Sequence, residues 1–140
     1  MKQSCCIHKN SKILREKLKK LGYLDNTCFT SFDNFLYTLG DNYYTCKDYQ
    51  KFISLRSTEF IQNECVDCGT NEELFLAIAA LSDDTNEHQW FTDGSHDIWV
   101  VYDSDKMTYD RYKDCYVFDW YEEDAHKATV EELIEHFENS

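Results

Sequence analysis

At 140 residues the chain is long enough to bury a sizeable core within one domain, and its 16% aromatic content argues against disorder. No apolar run reaches the length of a membrane span, and the polar stretch Met1 to Asn10 does not read as a signal peptide. The formal net charge is −13, yet residues 1–20 hold seven of the fourteen Lys and Arg against one acid, Glu16, which leaves residues 21–140 with seven bases, 26 acids and a net of −19. Such a body repels nucleic acid and membrane surfaces and attracts basic ones. The seven cysteines form no disulfide framework, so reduced thiols in a cytoplasm are the simpler expectation.

In chain order, Ser11 to Leu21 reads as a helix. Ser11 can cap it, Leu14, Leu18 and Leu21 form an apolar stripe, Lys17, Lys19 and Lys20 complement the dipole of its last turns, and Gly22 ends it. From Thr30 to Gly40 two patterns compete. Phe32, Phe35, Leu36 and Leu39 fall at helical spacing, and the reading leans to a short helix. The rival is a hairpin in which Phe35–Leu39 and Asn42–Cys46 flank Gly40-Asp41. Tyr43-Tyr44-Thr45 then suits a strand, and Tyr49, Phe52 and Ile53 suit a helix turn. The organising element comes next. Thr70 and Glu73 make a capping box in front of Leu74 to Leu81, where every residue is apolar, which predicts a buried central helix. Beyond it the pattern turns to β. Gln89–Thr92 and Asp97–Tyr102 flank the turn Asp93-Gly94-Ser95, and Cys115–Tyr121 is expected to pair in the same sheet. A last helix follows Thr129, whose capping box with Glu132 precedes the apolar Leu133, Ile134 and Phe137.

Three stretches, Asp67-Cys68-Gly69-Thr70-Asn71-Glu72-Glu73-Leu74-Phe75-Leu76-Ala77-Ile78-Ala79-Ala80-Leu81-Ser82-Asp83-Asp84, Gln89-Trp90-Phe91-Thr92 and Lys127-Ala128-Thr129-Val130-Glu131-Glu132-Leu133, resemble small uncharacterised proteins encoded by phages and prophages of gut bacteria. The resemblance covers about half the chain and rests on caps, core and turn. It implies a small intracellular accessory protein, of a class that includes inhibitors of host defence, and it transfers no catalytic residue.

Chemistry-bearing patterns are weak. Cys65-x-x-Cys68 is half of a zinc site without a matching second half, and it reads better as two small thiols around a turn. Gly94-Ser95-His96-Asp97 places hydroxyl, imidazole and carboxylate side by side, whereas triads converge from distant positions. Four unpaired glycines exclude a glycine-rich phosphate loop. The loop acids Asp83-Asp84 and Asp103-Ser104-Asp105 lack the remainder of an EF-hand. No metal, cofactor or catalytic residue is therefore assigned.

The most suggestive surface is Tyr102 to Asp124. Its acids, Asp103, Asp105, Asp110, Asp114, Asp119, Glu122, Glu123 and Asp124, outnumber Lys106, Arg111 and Lys113, and aromatics including Tyr109 and Tyr112 are interleaved with them. Acids on a rigid scaffold can occupy a basic groove made for phosphates, with aromatics supplying contact area. The expectation is thus a single α+β domain over residues 1–140, an antiparallel sheet of three to five strands with a buried central helix and flanking helices. Its expected function is non-enzymatic: an acidic, cytoplasmic protein that blocks a basic, nucleic-acid-handling host protein. The alternative is a small-ligand binder with a pocket lined by Trp90, Trp99 or Trp120.

Overall fold

The computed structural model describes residues 3–26, 33–82, 87–92, 99–101, 109–110, 115–116 and 126–138. In chain order these form β1 (Ser4–Ile7), α1 (Lys12–Lys20), β2 (Leu24–Asp25), β3 (Phe35–Leu39), β4 (Asn42–Cys46) and α2 (Tyr49–Leu55). A π-helical turn (Phe60–Glu64), β5 (Cys65–Asp67), α3 (Glu72–Ala79), β6 (Trp90–Thr92) and β7 (Trp99–Val101) follow. The last elements are β8 (Tyr109–Asp110), β9 (Cys115–Tyr116), β10 (His126–Lys127) and α4 (Val130–Glu138).

The main sheet has five strands in the order β2-β4-β3-β1-β5. Its pairings β1–β3 and β3–β4 are antiparallel, but β1–β5 and β2–β4 are parallel. The architecture is α+β as expected, with a mixed sheet in place of an antiparallel one. One parallel pairing comes from the short edge strand β2, and the other from β1, which the polar first ten residues conceal. Ser4, Cys5, Cys6 and Ile7 are all buried, and free cysteine packs as a small hydrophobe. The Cys5 backbone N–H donates to the Thr38 hydroxyl at 3.0 Å.

Alternation along the strands divides the core into two layers. Cys5, Ile7, Leu36 and Tyr43 face Leu14 and Leu18 of α1, Leu74, Phe75 and Ile78 of α3, and Leu133 of α4. Cys6, Phe35, Tyr37 and Cys46 face the other way, against Phe52 of α2 and Phe60 of the π-helical turn. The Phe35 and Phe52 rings lie 4.7 Å apart, and the Arg56 guanidinium donates to the Tyr37 hydroxyl at 2.7 Å while lying over its ring. The helices therefore cover both faces of the sheet.

The helical leaning for Thr30 to Gly40 is overturned. Residues 35–39 are a central strand, and the hairpin alternative holds, with Leu39 opposite Asn42 across the two-residue loop Gly40-Asp41. Gly40 has φ +61° at the first loop position, where a type II′ turn takes glycine. Phe35 and Leu36 mimic helical spacing because both faces of β3 are buried, so neither face is marked by polar residues.

The capping readings resolve differently at two similar helix starts. Ser11 caps α1 by accepting from the Leu14 N–H, and Gly22, at φ +97°, follows its end. At α4 the Thr129 hydroxyl accepts from the Glu132 N–H at 3.2 Å, and the Glu132 carboxylate accepts from the Thr129 N–H at 3.0 Å, a complete capping box. At α3 the expected Thr70 cap is replaced by Asn71, whose side-chain oxygen accepts from the Leu74 N–H at 3.1 Å. The Asn71 amide also donates to the Phe137 carbonyl at 3.1 Å, which ties the start of α3 to the end of α4.

β6 and β7 form the expected hairpin, with Thr92 opposite Trp99, and β10 joins on the other edge of β6. Asp93-Gly94-Ser95 lies outside the described residues. β9 was expected in this sheet and pairs with β8 instead, Tyr109 opposite Tyr116. No helix of the described residues is long and apolar enough to cross a membrane.

Candidate functional site

Helix α3 is buried at Leu74, Phe75, Ala77, Ile78 and Ala79, but Leu76 and Ala80 are only half-buried. Glu73, Leu76, Ala77 and Ala80 fall at helical spacing on one stripe, and that stripe floors a cavity of about 430 Å³. Its walls are Leu21 with Lys17 and Lys20 from the end of α1, Trp90 of β6 and Phe137 of α4. Alanine at 77 and 80 keeps the floor low, since any larger apolar side chain there would fill the space. A second hollow of about 270 Å³ runs along the same α1–α3 seam and shares Lys17 and Leu76 with the first. At its far end Lys9 pairs with Glu72 at 3.3 Å.

The aromatic wall is built in depth. The Trp90 ring meets Phe137 edge-on at 5.4 Å, and Trp99 lies 6.5 Å from Trp90. His136 stacks on Trp99 at 4.1 Å and is held edge-on to Phe137 at 4.8 Å. Trp90 is thus a fixed wall and Trp99 its support from behind.

The segment that delivers Trp90 is pinned by Gln89, a buried polar side chain with 1% exposure. Its amide oxygen accepts from the Ser82 N–H at 3.1 Å, and its amide nitrogen donates to the carbonyls of Glu87, at 3.0 Å, and of Ala80. The bond to the Ala80 carbonyl satisfies a group that the end of α3 leaves open. Lys127 adds a bond to the Ser82 carbonyl at 2.7 Å, and the Tyr23 hydroxyl donates to the Ala79 carbonyl at 2.7 Å. His88, which also lines the cavity, has φ +63°, a left-handed conformation disfavoured for a non-glycine residue. The Gln89 bonds beside it hold that turn in place.

Of the residues singled out in the sequence, Trp90 lines the cavity, Trp99 backs it, and Trp120 lies outside the described residues. Asp103, Asp105, Tyr112, Asp114, Asp119, Glu122, Glu123 and Asp124 also lie outside them. Tyr109 and Asp110 fall in β8, where backbone pairing sets them opposite Tyr116 and Cys115. Cys65 opens β5 and Cys68 follows its end, just before Gly69 at φ +60°, with Cys68 buried and Cys65 half-buried. His8 Nε2 lies 3.1 Å from the Asp67 carboxylate, and the ring stacks on Tyr49. Among the described residues no three His, Cys, Asp or Glu side chains are grouped to hold a metal ion. Sequence reasoning missed Lys17, Lys20, Leu21, Glu73, Leu76, Ala77, Ala80, His88 and Phe137 as cavity residues. The one available signal was the run of alanines in an otherwise large-residue helix.

Compared with known proteins, the chain matches no family model, no curated protein and no solved structure.

Proposed function

We propose that this chain is a non-enzymatic binding protein whose cavity between α1, α3, β6 and α4 holds a small molecule with an apolar body. The observation that carries this reading is the cavity itself. Its volume of about 430 Å³ lies within the range of ligand pockets, and its lining combines an apolar floor and aromatic wall with a few polar groups at the edge. A screen of small amphipathic metabolites by thermal shift tests it. A bound ligand raises the melting temperature, and Leu76→Trp, which fills the floor, abolishes the rise. Shifts that survive Leu76→Trp would place the ligand elsewhere and sink the reading.

A second reading is supported by charge. Residues 21–140 carry a net of −19, and Tyr102 to Asp124 concentrate acids and aromatics. In this reading the chain is a cytoplasmic phage-type accessory protein that uses Asp103, Asp105, Asp110, Asp114, Asp119, Glu122, Glu123 and Asp124, with Tyr109 and Tyr112, to block a basic nucleic-acid-handling host protein. Affinity capture from a bacterial lysate, followed by competition, is the test. The captured protein is expected to be basic, to be shed at high salt and to be displaced by DNA. An empty capture, or a partner that DNA leaves in place, overturns this reading.

A further inference from the structure

We infer that the α1–α3 cavity selects a monoanionic amphiphile, a single carboxylate or sulfonate carried on an aliphatic or aromatic body; this rests on the cavity being a ligand site. Three observations define the class.

The first is local charge. Lys17 and Lys20 stand on the rim with one carboxylate, Glu73, so the described lining residues carry an excess of one positive charge. One anionic group balances that excess. Among the described residues neither ammonium group is in an ion pair, whereas Lys9 is neutralised by Glu72 and Lys19 lies 3.9 Å from Asp25. Among the described lining residues, Lys17 and Lys20 thus supply the available positive charge, and both line the cavity.

The second is the surrounding field. Both lysines belong to the last turns of α1, where the carbonyl end of the helix dipole is negative. The whole chain carries −13. Each further negative charge on a ligand is opposed by both fields, so a phosphate monoester or a nucleotide is disfavoured relative to a monoanion.

The third is shape. The larger cavity and the hollow along the seam share Lys17 and Leu76 in their linings, so apolar surface extends along α1 and α3 from a head group placed between Lys17 and Lys20. The Trp90 and Phe137 rings supply the flat wall for an aromatic or extended aliphatic body. Burying the body supplies most of the affinity, and the two lysines orient the molecule.

The test uses the full chain and four ten-carbon probes below their micelle concentrations: decanoate, decanol, decyl phosphate and decyltrimethylammonium. Affinities are read by titration calorimetry and by displacement of anilinonaphthalene sulfonate, itself an aromatic monoanion. Decanoate is expected to bind roughly tenfold more tightly than decanol, the gain from two partly exposed charge contacts. Lys17→Gln with Lys20→Gln removes that difference and leaves decanol binding in place. Leu76→Trp abolishes binding of all probes; Ala80→Leu fills the same floor and replaces it if the tryptophan variant fails to fold by circular dichroism.

The outcomes separate the two claims. Equal binding of decanoate and decanol, lost together in the floor variants, overturns the charge selection and leaves the cavity reading standing. Decyl phosphate or decyltrimethylammonium binding more tightly than decanoate overturns the monoanion class. Binding of no probe, or binding that the floor variants do not alter, overturns the cavity reading and this inference with it.

Discussion

Cysteine side chains show how local environment sets chemistry in this chain. Cys5, Cys6, Cys46 and Cys68 are buried free thiols and Cys65 is half-buried. Burial pushes the Cys5 thiol well up, with the neighbouring Cys68 adding to it. Cys6 is raised by its hydrogen bond with Cys65 and by burial, and burial pushes Cys46 up to about 11. The thiolate is the reactive form, so these groups are expected to be inert in the native state. Brief alkylation at pH 8 mapped by mass spectrometry should label Cys65 ahead of Cys5, Cys6, Cys46 and Cys68. The linkage has a definite sign. An unfolded thiol ionises near pH 8.5 while the folded one keeps its proton, so the unfolded state gains stability as pH rises. The contribution is fully present below about pH 8.5 and is lost as pH climbs through the raised values, of which Cys46 marks a point near 11. The melting temperature should therefore fall between pH 8 and pH 11, less steeply in Cys46→Ser, which has no proton to lose there. An equal slope in that variant would show that Cys46 titrates alike in both states.

Among the elements, the two Thr-x-Glu-Glu-Leu helix starts separate sequence pattern from structural role. Thr129→Ala removes half of the α4 capping box and should cost about 1 kcal/mol, read from the urea midpoint. Thr70→Ala should change stability by less than about 0.5 kcal/mol, because Asn71 is the cap of α3. Asn71→Ala should cost about 1–2 kcal/mol, since it loses both the cap and the bond to the Phe137 carbonyl. A large loss for Thr70→Ala with none for Asn71→Ala would reverse this assignment. The comparison also shows what was readable beforehand. Helices α1, α3 and α4 were legible because an apolar stripe and a cap agree within one segment. The strand β1 was not, and β3 was legible only as the rival hairpin. Both are buried on two faces, so the polar alternation that marks a strand is missing, and the partner that settles the matter, β5 for β1, lies some sixty residues away. The cavity was equally hidden. Leu76, Ala77 and Ala80 look like core, and only the position of α1 leaves them partly uncovered.

For the whole molecule the governing quantity is the separation of charge. The two cavity lysines come from the short basic segment, residues 1–20, of a chain whose remainder has a net charge of −19. Self-repulsion of that remainder opposes folding, and salt screens it: the Debye length shrinks from about 30 Å at 0.01 M to about 3 Å at 1 M. Raising salt over this range should therefore raise the melting temperature. The same change should weaken an anion held between Lys17 and Lys20, because their attraction is screened as well. Stability and decanoate affinity are thus expected to move in opposite directions, while decanol affinity holds or rises as salt strengthens apolar burial. Differential scanning fluorimetry and calorimetry on one salt series read both quantities. If stability and decanoate affinity rise together, the bond to the ligand is apolar alone and the lysines are bystanders. If stability falls with salt, the acids are engaged in favourable pairs rather than repelling one another, and the free acidic surface required for a basic partner is not there.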